Sequence, residues 1–125
     1  MGTFRVSIEV GDPAGQRYET VEALVDTGAT YTWAPRPTLE ALNIRPTLRR
    51  RFVLADGRER EYDMADVQVR LNGESHFTPR IFGDPGTEPL IGVVTLEEFG
   101  LGVDPVGQQL IPVRERQSFP CSQSN

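Results

Sequence analysis

Apolar residues at Phe4, Val6, Ile8 and Val10 alternate with polar ones, a period of two that predicts a half-buried β-strand. Gly11-Asp12-Pro13-Ala14-Gly15 is a turn cluster, and Arg17 to Val25 resumes as a second strand closing on the apolar run Ala23-Leu24-Val25. Asp26 to Thr30 reads as a loop. Tyr31-Thr32-Trp33 is short and β-prone, punctuated by Pro35 and Pro37. Helix formers then gather at Thr38-Leu39-Glu40-Ala41-Leu42, with Pro37 suited to the first turn and Asn43 to the end.

The second half continues the strand pattern. Thr47 to Ala55 and Arg58 to Leu71 are extended runs around Asp56-Gly57, a two-residue hairpin signal. Asn72-Gly73 is a second such turn, followed by a strand from Glu74 to Phe82 and a loop at Gly83-Asp84-Pro85-Gly86. Leu90-Ile91 is a short apolar segment. Val94 to Phe99 reads as a helix stopped by Gly100. Leu101 to Asp104 and Gln109 to Val113 read as a closing hairpin around Pro105-Val106-Gly107. After Arg114 the chain turns polar, so the expected organisation is one domain over residues 1–113 and a loose polar tail over 114–125.

Composition narrows the class. A chain of 125 residues suits one domain with a modest core, and 12 Gly with 10 Pro suggest a turn-rich β protein. The net charge of −5 argues against general nucleic-acid binding. No apolar run is long enough to span a membrane as a helix. All 13 basic residues are arginine, which excludes Schiff-base and phosphate-loop lysines. The one cysteine, Cys121, leaves no internal disulfide and makes a reducing cytoplasm the expected compartment. The one histidine, His76, lies in an alternating segment and reads as an ordinary strand residue. A Ser-His or Cys-His pair would have to use His76, and a zinc site normally needs several His or Cys ligands that the chain does not hold, so no cofactor is expected.

The candidate chemistry lies at Asp26-Thr27-Gly28-Ala29, where an apolar strand end delivers a carboxylate to a loop. Gly28 lets the backbone approach closely and its N–H can donate to a carboxylate. Hydrolysis of an amide without metal or covalent nucleophile needs an activated water and a proton donor for the carbonyl oxygen. Two carboxyl groups about 3 Å apart supply both by sharing one proton, the arrangement of aspartic proteases. The chain holds one Asp-Thr-Gly, so this chemistry requires a second copy of the chain. The competing reading of Asp26 is a turn aspartate bonded to its own backbone.

Leu24-Val25-Asp26-Thr27-Gly28-Ala29 resembles the active-site loop of retropepsins, the retroviral-type aspartic proteases. Ala55-Asp56-Gly57 stands where their flap tip would be, and Leu90-Ile91-Gly92 resembles their second apolar-apolar-Gly element, about 60 residues beyond the first. The closing stretch to Val113 and the small helix after Pro37 resemble bacterial members of that family. The resemblance covers residues 3–113. It implies an all-β, mainly antiparallel, closed barrel-like fold with one or two short helices, expected as a two-fold homodimer.

The resemblance also implies roles. Asp26 from each protomer is the catalytic residue of an aspartic endopeptidase acting on extended peptides. Thr27, Gly28 and Ala29 support the loop, with Thr27 bonding across the two-fold axis. Ala55, Asp56 and Gly57 form the flap tip, and Thr30 lies beside the peptide. Leu90, Ile91 and Gly92 brace the active-site loop. The expected partners are the chain itself and a peptide or protein, with neither nucleic acid nor membrane. Ala29 offers no hydroxyl to stabilise a charged carboxylate pair, so the rate optimum is expected at weakly acidic to neutral pH.

Two departures stand out. Viral members carry acidic residues after the loop alanine and an arginine after the second glycine; this chain has Thr30, Tyr31 and Val93 there. That ion-pair network is missing, which leaves open a non-catalytic peptide-binding or dimerisation module on the same fold. Arg49-Arg50-Arg51 reads as a solvated strand face. If these arginines face the cleft, they favour acidic peptides. Tyr31 and Trp33 read as core or interface residues.

Overall fold

The computed structural model describes residues 4–113, and the expectations for the tail at 114–125 and for Cys121 lie outside them. The alternating N-terminal segment forms β1 (Arg5–Gly11), which pairs antiparallel with β2 (Tyr18–Val25), Ile8 opposite Val21 and Val6 opposite Ala23. The period of two puts Ile8, Val10, Val21, Ala23 and Val25 inside. After the loop come β3 (Thr32–Pro35) and α1 (Arg36–Ala41). Pro37 sits in the first turn of α1, where no intrahelical N–H is needed. Asn43, at φ 60°, turns the chain out of the helix, and the buried Leu39 and Leu42 hold it on the barrel.

A long meander follows: β4 (Leu48–Val53), β5 (Glu59–Leu71) and β6 (Glu74–Gly83). Asn72 and Gly73 both have positive φ, as a two-residue type I′ turn requires. The Asp56-Gly57 hairpin differs from its sequence expectation. Leu54 and Arg58 still pair, with the Leu54 N–H on the Arg58 carbonyl at 2.8 Å, so three residues, Ala55-Asp56-Gly57, make the loop. Only Gly57 adopts positive φ there, at 85°, whereas the type I′ turn that Asp-Gly favours needs it at both residues. Asp56 is instead held by its own carboxylate, which accepts the Arg58 N–H at 3.0 Å and Arg58 Nε at 2.8 Å.

The rest comprises β7 (Leu90–Ile91), α2 (Val93–Glu98), β8 (Leu101–Asp104) and β9 (Gln109–Pro112). Gly100, at φ 65°, ends the second helix as expected. Strands run in the order β1-β2-β7-β3-β6-β5-β4, and β1 also pairs with β5 through Val10 and Val69. That last pairing closes six strands into a barrel-like sheet. β4 stays outside the closure, bound only to β5, and β8 with β9 forms a separate ribbon. The fold is mostly β with two short helices, as the sequence suggested.

The interior is mostly aliphatic, with Val10, Leu39, Leu42, Val69 and Ile91 fully enclosed and Phe82 and Phe99 buried beside them. Arg80 is the one buried charge among the described residues: 1% exposed on β6, it leaves Nε and Nη2 without hydrogen-bond partners there. Burial pushes its guanidinium down to about 10, because a charge without water or a counter-ion is destabilised.

Candidate active site

Three strands meet beneath Asp26. Val25, 4% exposed, ends β2 between β1 and the parallel strand β7, in register with Ile91. The Asp26 N–H donates to the Ile91 carbonyl at 3.0 Å, and the Ala29 N–H returns to the Asp26 carbonyl at 3.1 Å, closing a tight turn. Within it, the Gly28 N–H donates to Asp26 Oδ1 at 2.9 Å. A Cβ on Gly28 would stand 3.2 Å from that oxygen, so a side chain there would crowd the carboxylate. Asp26 is half-buried and makes no ion pair among the described residues. One of its oxygens is fixed by the loop, and the other makes no hydrogen bond to a described residue.

The Leu90-Ile91-Gly92 segment runs under this loop. Val93 N–H donates to the Ala29 carbonyl at 2.8 Å and Val94 N–H to the Thr30 carbonyl at 2.9 Å. A Cβ on Gly92 would lie 2.5 Å from the Tyr31 carbonyl oxygen and 2.8 Å from the Thr30 carbonyl carbon. No side chain fits there, which is the physical reason for glycine at this point. The loop residues Thr27 and Gly28 are exposed, as is Thr30, and Ala29 is half-buried. Thr27 borders a cavity of about 520 Å³ with the apolar side chains of Val93, Leu96, Leu101, Val103 and Val113.

Sequence reasoning missed the polar chain that holds these pieces. Thr32 Oγ1 accepts the Gly92 N–H at 3.1 Å and lies 2.6 Å from Thr95 Oγ1. The Thr95 hydroxyl also reaches Thr78 Oγ1 at 3.3 Å. All three threonines are buried, and they tie β3, α2 and β6 together behind the Asp26 loop. A signal did exist: Thr32 shares an inward face with Ala34, and Thr78 shares one with Arg80 and Phe82.

The hairpin of β4 and β5 carries Ala55, Asp56 and Gly57 at an exposed tip, with the Arg58 N–H and guanidinium holding the Asp56 carboxyl below the usual carboxylate range. Its inner face meets the loop through aromatic rings. Phe52 lies 6.0 Å from Tyr31 and 6.2 Å from Trp33, and Trp33 packs edge-on to Tyr62 at 4.9 Å. Tyr31 and Trp33 therefore join a second apolar cluster, separate from the barrel interior, with Met64 and Ile81 at its base. Between this cluster and the loop lies a cavity of about 500 Å³ bordered by Ala29, Thr30 and Ala55. His76 sits on β6, stacked edge-on to Phe99 at 4.6 Å, away from Asp26 in the register of the sheet.

A barrel-like sheet whose buried strand end offers an Asp-Thr-Gly loop, braced by a parallel apolar-apolar-Gly segment, defines the aspartic peptidase class. Residues 6–95 match the sequence model of the aspartyl protease family. The chain belongs to that family and is an aspartic-type endopeptidase. Its fold is similar to the solution structure of simian foamy virus (mac) protease, with a TM-score of 0.55 and 19% sequence identity over 76% of this chain and 93% of that one. No curated protein sequence matches the chain.

Proposed function

We propose that two copies of residues 1–113 pair about a two-fold axis and hydrolyse peptide bonds in extended peptides, each copy supplying one Asp26. The observation that carries this reading is the Asp26 loop. Its geometry is fixed by the Gly28 N–H and by Ile91, yet it holds a single carboxylate where the chemistry needs two. A partner's loop at the same place would bring the second.

In the paired site the two carboxyls share one proton. The ionised Asp26 takes a proton from the attacking water, and the protonated Asp26 donates to the scissile carbonyl oxygen. The roles then exchange as the leaving amine is protonated. The pair titrates as a unit, so the shared proton belongs to neither copy. No cofactor enters these steps. Thr27 bonds across the axis in this reading; its exposure beside a cavity of about 520 Å³ leaves it accessible to a partner. Ala29 and Thr30 line the peptide path. Leu90, Ile91 and Gly92 keep the loop rigid, and the Ala55-Asp56-Gly57 tip closes over the substrate to exclude water. No helix among the described residues is long and apolar enough to cross a membrane.

A peptide library incubated with the purified chain, alongside sedimentation over a range of concentrations, tests this. Asp26→Asn keeps a side-chain oxygen for the Gly28 N–H, so fold and pairing persist while turnover falls by at least about a hundredfold. Full-rate cleavage by that variant overturns the assignment of Asp26. Activity per chain that stays constant on dilution to a sedimenting monomer overturns the paired site.

A further inference from the structure

The three consecutive arginines of β4 do not share an environment. Register with β5 places Arg49 opposite Asp63 and Arg51 opposite Glu61 on the outer face of the hairpin. There Arg49 Nε lies 3.6 Å from both Glu61 and Asp63, and Arg51 reaches Glu59 at 3.6 Å and Glu61 at 3.4 Å. Arg50 stands opposite Tyr62 on the inner face, in line with Phe52 and Leu54. Among the described residues it makes no ion pair and no side-chain hydrogen bond. The remaining arginines of the hairpin are engaged: Arg58 with Asp56 at 2.8 Å, and Arg60 with Asp84 at 3.0 Å.

Arg50 borders the cavity of about 500 Å³ between the hairpin and the active-site loop, whose apolar walls include Tyr31, Trp33, Phe52, Leu54 and Ile81. None of the lining residues is acidic. We propose that this cavity selects the substrate. It takes a bulky apolar side chain of an extended peptide, while an aspartate or glutamate two residues away pairs with Arg50. The inference rests on reading the cleft as the peptide-binding site.

Spacing supports the pairing. In an extended peptide, side chains two residues apart share a face and stand about 6.6 Å from one another. Phe52 and Arg50 are likewise two residues apart on one face of a strand. A peptide side chain seated against Phe52 and Trp33 therefore leaves its same-face neighbour within reach of the guanidinium. Arg50 is exposed, so the ion pair is partly screened by solvent, and the expected discrimination is about two- to fivefold.

The test uses synthetic extended peptides with a phenylalanine and, two residues to either side, glutamate, glutamine or lysine. Binding is read in the Asp26→Asn background through Trp33, the one tryptophan of the chain, which borders the cavity. Cleavage is read as kcat/KM in the unaltered chain. The glutamate peptide is expected to bind and to be cleaved about two- to fivefold better than its glutamine counterpart. Arg50→Gln should erase that difference, and Arg50→Glu should turn the preference toward lysine. Equal treatment of the three peptides, or an acidic preference that survives Arg50→Glu, overturns the proposal. Selective binding without any cleavage overturns the peptidase mechanism and leaves the pocket assignment standing. Asp26-dependent cleavage without acidic preference does the reverse, and neither binding nor cleavage overturns both.

Discussion

Gly92 passes beneath Tyr31 so closely that a methyl group on its Cα would meet the Tyr31 carbonyl oxygen at 2.5 Å. Backbone rather than a flexible side chain forms the obstacle, so it cannot swing aside. The Asp26 loop and the segment that leads into α2 are thus packed main chain against main chain. Their spacing is set by the absence of one carbon atom.

Gly92→Ala is the first expectation from that contact. The added methyl must push the Thr30-Tyr31 backbone away, breaking the bonds from Val93 and Val94 to Ala29 and Thr30. Overpacking of this kind costs about 1–3 kcal/mol. Chemical denaturation should show that loss, and peptidase activity should fall further than stability does, because the displaced loop carries Asp26.

The buried threonine chain gives a second. Thr32→Val keeps the shape of the side chain but strips the acceptor from the Gly92 N–H and a partner from the Thr95 hydroxyl. Leaving such groups unsatisfied costs about 1–3 kcal/mol, while Thr32→Ser retains the oxygen and should recover most of the hydrogen bonding. Paired unfolding curves for the two variants check this. Equal stability of the valine variant and the parent would remove the chain's structural role.

Arg80 should be a burden on the fold. Replacing its buried, partnerless guanidinium by the similar apolar length of methionine is expected to stabilise the protein by about 1–4 kcal/mol. The pH dependence has a definite sign. Burial lowers the folded-state value to about 10, so as pH rises through that value the native state sheds the proton before the unfolded chain does. The unfolded state then binds more protons, and the Arg80 contribution to stability grows with pH. The advantage of Arg80→Met over the parent should therefore be largest at neutral pH and shrink above about pH 10, as measured by denaturation of both proteins across that range.

The rate profile offers a further check on the paired carboxyls. Ala29 presents no hydroxyl beside the loop, and a peak between weakly acidic and neutral pH is expected. Ala29→Ser adds a donor that favours the charged form of the pair, and should move the peak to lower pH. Its measurement is kcat/KM against pH for both chains. A parent profile that peaks below about pH 3, or a serine variant with an unmoved profile, counts against the mechanism.

Much of this protein is written locally in its sequence. The alternation from Phe4 to Val10 orients β1 because side chains on a strand point to opposite faces in turn. Asn72-Gly73 makes its hairpin because both residues accept positive φ, and Gly100 stops a helix for the same backbone reason. Asp26-Thr27-Gly28 is legible as a carboxylate on a turn, since the glycine and the aspartate interact within two residues. What depends on distant partners is not legible in this way. Arg49, Arg50 and Arg51 are identical in sequence, and only the register with β5 sends two of them to carboxylates and the third to the cavity beside Phe52 and Trp33. Thr32, Thr78 and Thr95 look like ordinary strand and helix residues until the parallel pairing of β3 with β6 and the docking of α2 bury their hydroxyls together. Arg80 reads as a surface residue by its chemistry, yet its place on the inward face of a closed barrel encloses it. Local geometry follows from neighbours along the chain. The orientation of a charge and the partner of a hydroxyl follow from which strands lie side by side.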